Sequence, residues 1–356
     1  MAQFWGLWKN IDMALLYPRD LQAWQAWQVS RNRLRQLRNL GRTQSLEAPL
    51  FLSATSAEPK LLVAVDASTP TAVSAFLKPL AHLAGIDFAV LSSAPLGNLV
   101  PQATFWHDIE IVPGGAAPIP EWLAGISAVF SGGHYLRAGK QADDWAQLLG
   151  IRHIVAQHGL LAPQAPPLPE NAHALVFGAA DAEFWASGRS DVTSEVVGSQ
   201  LLFAASQRPA EPVSCERPVF LGQLHGAELS RKISGGTAAQ FCRSTGATYR
   251  PHPAETDIQS RVQHTIWERT GIEIMRSGGA LHQLGRPVVS IFSTGVLEAA
   301  AAGLPSWVVC NQPPAWVSEF WQRYNMSVWG NEPTAPPMQP LLEPAVAVAN
   351  SIARMI

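Results

Sequence analysis

The sequence predicts an α/β fold: two successive Rossmann-like domains facing a central cleft, with an N-terminal amphipathic helix and a C-terminal helix set off by a proline-rich linker. Three observations predict it. Apolar strand-like runs alternate with helical patterns over 59–204, and again over 219–330. A polar stretch bearing Pro209, Pro212 and Pro218 lies between them, so 205–218 reads as a linker. The 356 residues exceed one typical core and suit two. Such sheets bind ligands at the carboxyl ends of their strands, so the cleft between domains is the expected site.

Each element has its own signal. In the segment 1–58, Leu21, Trp24, Trp27, Leu34 and Leu37 recur at helical spacings of three and seven and predict a helix over 18–41. Arg31, Arg33, Arg35, Arg38 and Arg42 crowd its second half, and 43–58 reads as a polar connection. Leu61–Ala67 reads as a buried strand, followed by a helix over 71–84 and a strand Asp87–Ser92. Ile109–Val112 is short and extended; Ala128–Ser131 is a strand running into Gly132-Gly133. A helix over 139–149, a strand Ile151–Gln157, a strand Leu175–Phe177 and a helix over 180–187 complete the first run.

The second run opens with the strand Val219–Gln223 and a helix over 227–245. Ala247–Arg250 is a strand, 255–270 a helix, Glu273–Met275 a short extended piece and Gly279–Leu284 a helical turn. Val288–Phe292 and Ser306–Val309 are strands flanking a helix over 294–302, and Trp316–Tyr324 is a helix. Four prolines within 331–340 mark a second linker before a terminal helix over 342–355.

Composition narrows the class. Hydrophobic residues are 47% and charged residues 15%, which fits a packed fold and argues against disorder. A net charge of −2 supplies no global field for nucleic acid. Cys215, Cys242 and Cys310 are far apart and show no zinc-ligand spacing, so no metal is expected and a reducing cytoplasm is the simplest setting. No signal peptide and no bilayer-spanning run are read in the sequence.

Two motifs in the second half carry chemistry. The first is Arg250-Pro251-His252-Pro253, at a strand end. The prolines fix the backbone on both sides and hold the imidazole, which can then donate to a leaving phosphate or act as an acid. The second is Ser290-Ile291-Phe292-Ser293-Thr294-Gly295-Val296-Leu297-Glu298, where a strand enters a helix. Ser293 or Thr294 caps that helix, whose N–H groups and dipole suit a phosphate. Gly295 allows close approach, and Glu298, one turn in, can accept from ribose hydroxyls. An ordinary capped helix and a surface turn histidine are the plain alternatives. Gln223 and His225, after the first strand of this half, are second-tier donor contacts; no glycine-rich dinucleotide fingerprint and no Walker A motif occurs.

These two motifs resemble the C-terminal domain of GT-B glycosyltransferases. The likeness covers roughly 219–310 and is similar to two groups: the bacterial sialyltransferase and polysialyltransferase type, and the CDP-glycerol glycerophosphotransferases of teichoic-acid and capsule synthesis. The resemblance implies that His252, Ser293 and Thr294 contact the donor phosphate. In the first half, Gln157-His158-Gly159 follows a strand directly, and resemblance to the CDP-glycerol enzymes makes His158 the candidate base. The acidic motif of the sialyltransferases is absent, which disfavours a sialyl donor. Asp66 reads as a helix cap before a base, and Ser131-Gly132-Gly133-His134 as a glycine turn that can line the acceptor cleft.

The resulting expectation is a metal-independent, inverting glycosyltransferase of bacterial cell-surface polysaccharide synthesis. Its catalytic residues are His158 and His252, and its donor contacts are His252, Ser293, Thr294, Gly295, Glu298, Gln223 and Arg250. No cofactor is expected beyond a UDP-, CMP- or CDP-linked donor. The partners are that donor and a glycan or lipid-linked acceptor. Glycerol- or ribitol-phosphate transfer from CDP, an epimerase, and a non-catalytic module of the same fold are the alternatives. The tryptophan- and arginine-rich residues 1–42 read first as a helix packed on the first domain, and second as a peripheral membrane contact at the inner face.

Overall fold

The computed structural model describes residues 14–31, 49–67, 69–96, 99–100, 105–109, 117–224, 226–276 and 279–356. Among these residues the first sheet has eight strands: β1 (Leu50–Ala54), β2 (Leu61–Val65), β3 (Phe88–Ser92), β4 (Phe105–Ile109), β5 (Ala128–Ser131), β6 (Arg152–Ala156), β7 (His173–Val176) and β8 (Thr193–Val196). Their order is β4-β1-β3-β2-β5-β6-β7-β8. From β3 to β8 every pairing is parallel, while β1 runs antiparallel to both β3 and β4.

Side-chain alternation explains why this sheet lies at the centre of its half. Leu61, Val63 and Val65 of β2 enter one core with Phe76, Val90 and Phe130. Leu62 and Ala64 enter the other, with Leu91, Val129 and Trp145. A strand apolar on both faces is the mark of a parallel sheet covered on both sides. The helix Arg137–Leu149 covers one face and ends at Gly150, whose φ of 66° is the left-handed cap glycine tolerates best. On the other face, Pro70–Ala72 continues into a π-helical turn, Val73–Leu77, and a 3₁₀ turn, Lys78–His82.

The second sheet has four parallel strands, β9 (Val219–Leu221), β10 (Thr248–Arg250), β11 (Val288–Ser290) and β12 (Ser306–Val308), in the order β10-β9-β11-β12. The chain steps from β9 outward to β10 and returns across β9 to β11. The strand order therefore reverses at the carboxyl ends of β9 and β11, which is where open α/β sheets form their ligand crevice.

Several expectations are corrected. Residues 43–58 are not all connection, because Leu50, Leu52 and Ala54 are buried in the antiparallel strand β1. The extended piece near Ile109 runs over Phe105–Ile109, with Ile109 opposite Leu50; residues 110–112 lie outside the described set. Strand β8 and the helix Gln200–Ser206 were not expected. Thr193, Ser194 and Val196 of β8 are exposed, so that edge strand carries no apolar alternation to read.

The N-terminal helix is described over Leu21–Arg31, and Arg33, Arg35, Arg38 and Arg42 lie outside the described residues. Trp24 is buried, packs edge-on against Tyr135 at 5.5 Å, and donates its indole N–H to the Gln164 carbonyl at 2.8 Å. The described turns of this helix thus dock on the first half. Among the described residues no helix is long and apolar enough to cross a membrane.

Chain segments cross between the halves. The terminal helix Pro344–Ala353 returns to the first core through Val348, Ala349 and Ile352. Gln200 fixes its start: its Oε1 accepts from Ala345 N at 2.7 Å and its Nε2 donates to Glu343 at 2.7 Å. In the other direction, Leu202 and Leu160 pack into the second core.

Candidate functional site

Around the strand-order reversal of the second sheet, β9 lies between β10 and β11. His252, after β10, and Ser293, after β11, therefore flank Gln223, after β9. Two inter-strand spacings separate their strands, about 10 Å.

His252 is held by the turn its prolines create. Glu255 N donates to the His252 carbonyl at 2.9 Å, and Ala254 N donates to His252 Nδ1 at 3.1 Å. A ring that accepts at Nδ1 carries its proton on Nε2. Burial pushes the imidazole below its usual pKa, with Glu255 opposing, so the ring is neutral at pH 7. His252 is thus a fixed, neutral Nε2–H donor.

Ser293 caps the helix Thr294–Ala301 by accepting from Gly295 N at 3.1 Å. Thr294 is the first residue of that helix, not its cap. Gly295 is required by packing: a Cβ there would lie 2.5 Å from Leu221 Cδ1. This glycine brings the helix start down onto the end of β9.

Gln223 is also fixed. Its Oε1 accepts from Phe292 N and from Ser290 Oγ, both at 3.0 Å, so the β9 and β11 loops are tied together. Arg250 donates to the Gly279 carbonyl at 2.8 Å. Burial lowers its pKa while the Glu298 charge opposes that; burial raises the Glu298 carboxyl while Arg250 opposes that. These two groups therefore feel each other across the end of the sheet. Arg250, His252, Met275, Arg261 and Arg276 line an open groove of about 680 Å³, within the range of small-molecule sites. His225 lies outside the described residues.

A layer beneath the histidine turn went unread in the sequence. Glu255 is buried and accepts from Leu224 N at 3.0 Å, from the Tyr249 hydroxyl at 2.9 Å and from His264 Nε2 at 2.9 Å. Burial pushes its carboxyl up, but these donors outweigh burial and hold it below the usual range. Gly222 leaves room for this cluster, since a Cβ there would meet the Tyr249 hydroxyl at 2.4 Å. The one available signal was a carboxylate three residues after the histidine.

Comparison with known proteins adds the following. No protein-family model and no curated protein matches the chain. Among solved structures it is similar to a glycosyltransferase from Rickettsia africae, at 12% identity and a TM-score of 0.45, covering 84% of this chain and 88% of that one. It is similar to HepE of Anabaena in complex with UDP, at 13% identity and a TM-score of 0.43, covering 83% and 90%. It is also similar to MurG of Acinetobacter baumannii, at 12% identity and a TM-score of 0.39, covering 83% and 92%. The functional reading rests on the residues themselves.

In the first half, His158 and the glycine turn meet. A Cβ on Gly132 would lie 3.4 Å from the His158 ring and 2.8 Å from Phe76 Cζ, so only glycine fits. His158 Nε2 lies 3.3 Å from the Tyr135 hydroxyl, and its ring lies 5.3 Å from that of Phe76. Burial lowers the His158 pKa, with the Ala156 carbonyl opposing, so it is neutral at pH 7.

The glycine turn has its own support. Ser131 Oγ accepts from Gly133 N at 2.9 Å and lies 2.7 Å from His153 Nε2, while His153 Nδ1 lies 2.8 Å from Asp143. The constellation has the outline of a hydrolytic triad. All three side chains are sealed in the interior, so it holds the turn and offers no nucleophile. Asp66 accepts from Ala138 N and Gly139 N at 2.8 and 3.0 Å, which makes it a cap for the helix Arg137–Leu149.

Proposed function

We propose that the chain is a nucleotide-sugar-dependent glycosyltransferase. The observation that carries this reading is the pairing, at the strand-order reversal of a parallel sheet, of a fixed neutral histidine donor with a serine-capped helix start. As the bond from the sugar to the donor phosphate breaks, the departing nucleotide gains negative charge. His252 Nε2–H, the helix N-terminus behind Ser293 and Thr294, and the Arg250 guanidinium oppose that charge as it develops. Glu298 holds ribose hydroxyls, and Gln223 keeps the two loops in register.

On the acceptor side, His158 takes the proton of the attacking hydroxyl. Its lowered pKa keeps the ring unprotonated at neutral pH, as a general base requires. A single displacement of this kind inverts the anomeric centre. With cationic and helix-terminal groups opposing the phosphate charge, the scheme needs no resident metal. A bacterial surface glycan or a lipid-linked glycan is the acceptor class this reading takes.

Turnover tests the assignment. Release of nucleotide from sugar donors of the UDP, CMP and CDP classes is measured for the wild type and His158→Ala with a panel of glycan acceptors. The reading expects turnover lost and nucleotide binding kept in the variant. Turnover kept in the variant would show that His158 is not the base.

A further inference from the structure

The loop that carries His158 is gripped from the other half of the molecule. Tyr324 closes the helix Ala315–Arg323 of the second half. Its hydroxyl donates to Asp181 Oδ1 and accepts from Leu161 N at 2.7 Å. Its neighbour Arg323 donates to the Leu161 carbonyl at 2.7 Å, and its guanidinium lies 3.7 Å over the Phe184 ring. Both polar groups of one backbone residue, three positions after His158, are thus held by consecutive side chains of the second half. Leu160, between them, packs into the second core.

The grip reaches the upstream side of His158 through a second path. Asp181 Oδ1, which accepts from the Tyr324 hydroxyl, also accepts from Gln157 Nε2 at 3.2 Å. Gln157 Nε2 donates in addition to the Gly159 carbonyl at 2.9 Å, and its Oε1 accepts from Phe177 N at 2.9 Å. His158 therefore sits between two clamped neighbours, and both clamps end on Tyr324. Arg323 and Asp181 have side chains only 6% exposed, so the contact is a buried seam and not a surface ion pair. Glu319 completes it by accepting from Arg323 Nε at 2.7 Å.

We propose that Tyr324 and Arg323 are positioning residues for His158: the half assigned to the nucleotide donor sets the placement of the base in the acceptor half. The role rests on the glycosyltransferase reading above, but the mechanical link does not. The two halves need not find the reactive geometry independently. The helix Ala315–Arg323 belongs to the sheet that would hold the donor, so its seat on the 157–161 loop fixes the distance between base and donor. A displacement of this seam is transmitted to the imidazole through Leu161 on one side and Gln157 on the other.

The test uses the full chain with Tyr324→Phe and, as a second variant, Arg323→Met, which keeps an unbranched side chain and removes the guanidinium. Amide hydrogen exchange at 157–161 and the carbon-13 shift and titration midpoint of the His158 ring, assigned with His158→Ala, are the readouts. Tyr135 at Nε2 is the titratable group in contact with this ring, while Asp181 and Arg323 act at the seam on its chain neighbours. Losing one buried hydrogen bond predicts about tenfold faster exchange at Leu161. The His158 midpoint is expected to rise toward its ordinary range, with exchange in β2 and β5 unchanged. Unchanged exchange at Leu161 and an unmoved midpoint in both variants would overturn the proposal. Binding of UDP, CMP and CDP is followed in the same samples: loss of all binding in the wild type would strike the transferase reading and leave the positional result standing.

Discussion

Ala254 donates its backbone N–H to Nδ1 of His252 at 3.1 Å, and this bond decides which imidazole nitrogen carries the proton. A free turn histidine populates both tautomers. This one carries its proton on Nε2, an N–H donor of the kind a phosphate oxygen accepts.

The first prediction follows from that lock. His252→Ala should weaken nucleotide binding by roughly tenfold or more, the worth of one charge-assisted bond. His252→Gln should recover part of it, because its amide N–H₂ can stand near the lost Nε2. His252→Asn, whose shorter amide stands nearer Nδ1, should recover less. Calorimetric titration of the three variants gives the order directly.

The support beneath that turn predicts a large stability effect. Glu255→Ala leaves three buried donors, on Leu224, Tyr249 and His264, without their acceptor. Breaking a buried pair of this kind costs about 3–5 kcal/mol. Urea denaturation should show that loss with an unchanged slope, and Glu255→Gln should lose less.

Helix docking supplies a third. Gly295→Ala would drive a methyl to 2.5 Å from Leu221 Cδ1 and 3.3 Å from Leu281 Cδ1, an overpacking cost of about 1–3 kcal/mol. Ser293→Ala removes the cap and should cost about 1 kcal/mol. Thermal melts of both variants check the magnitudes, and nucleotide titration separates loss of the cap from loss of fold.

Acid sensitivity supplies a fourth. Burial pushes His134 down from 6.5 to about 4, with the Asp143 charge opposing. The folded ring stays neutral, while the unfolded chain takes up a proton as pH falls through 6.5. This contribution to stability is complete above 6.5, falls between 6.5 and about 4, and amounts to about 3 kcal/mol at most. His134→Asn should flatten the melting temperature in that window, and a slope equal to the wild type would refute the assignment.

The parts legible in the sequence were those with local signals. The apolar runs Leu61–Val65 and Val288–Ser290 gave their strands because both faces are buried. Pro251 and Pro253 announced a fixed histidine, and Ser293 before an alanine-rich run announced a cap. What escaped was non-local or masked by exposure. Strand β1 is five residues amid polar neighbours, and β8 faces solvent. Asp181 and Tyr324 are 143 positions apart, so no spacing rule links them. Asp66 read correctly as a cap, but for a helix more than seventy residues away, and only the folded chain shows which. His153 and Asp143 gave no sign that they hold the glycine turn beside His158.

The reversal point between β9 and β11 is the proposed seat of the nucleotide phosphate. Isothermal titration of the full chain with UDP, CDP and CMP, in parallel with a His252→Ala, Ser293→Ala double variant, tests it most directly. Saturable one-site binding of at least one nucleotide by the wild type, and its loss in a folded double variant, is the expected result. No heat with any of the three, or equal affinity in the variant, would contradict it.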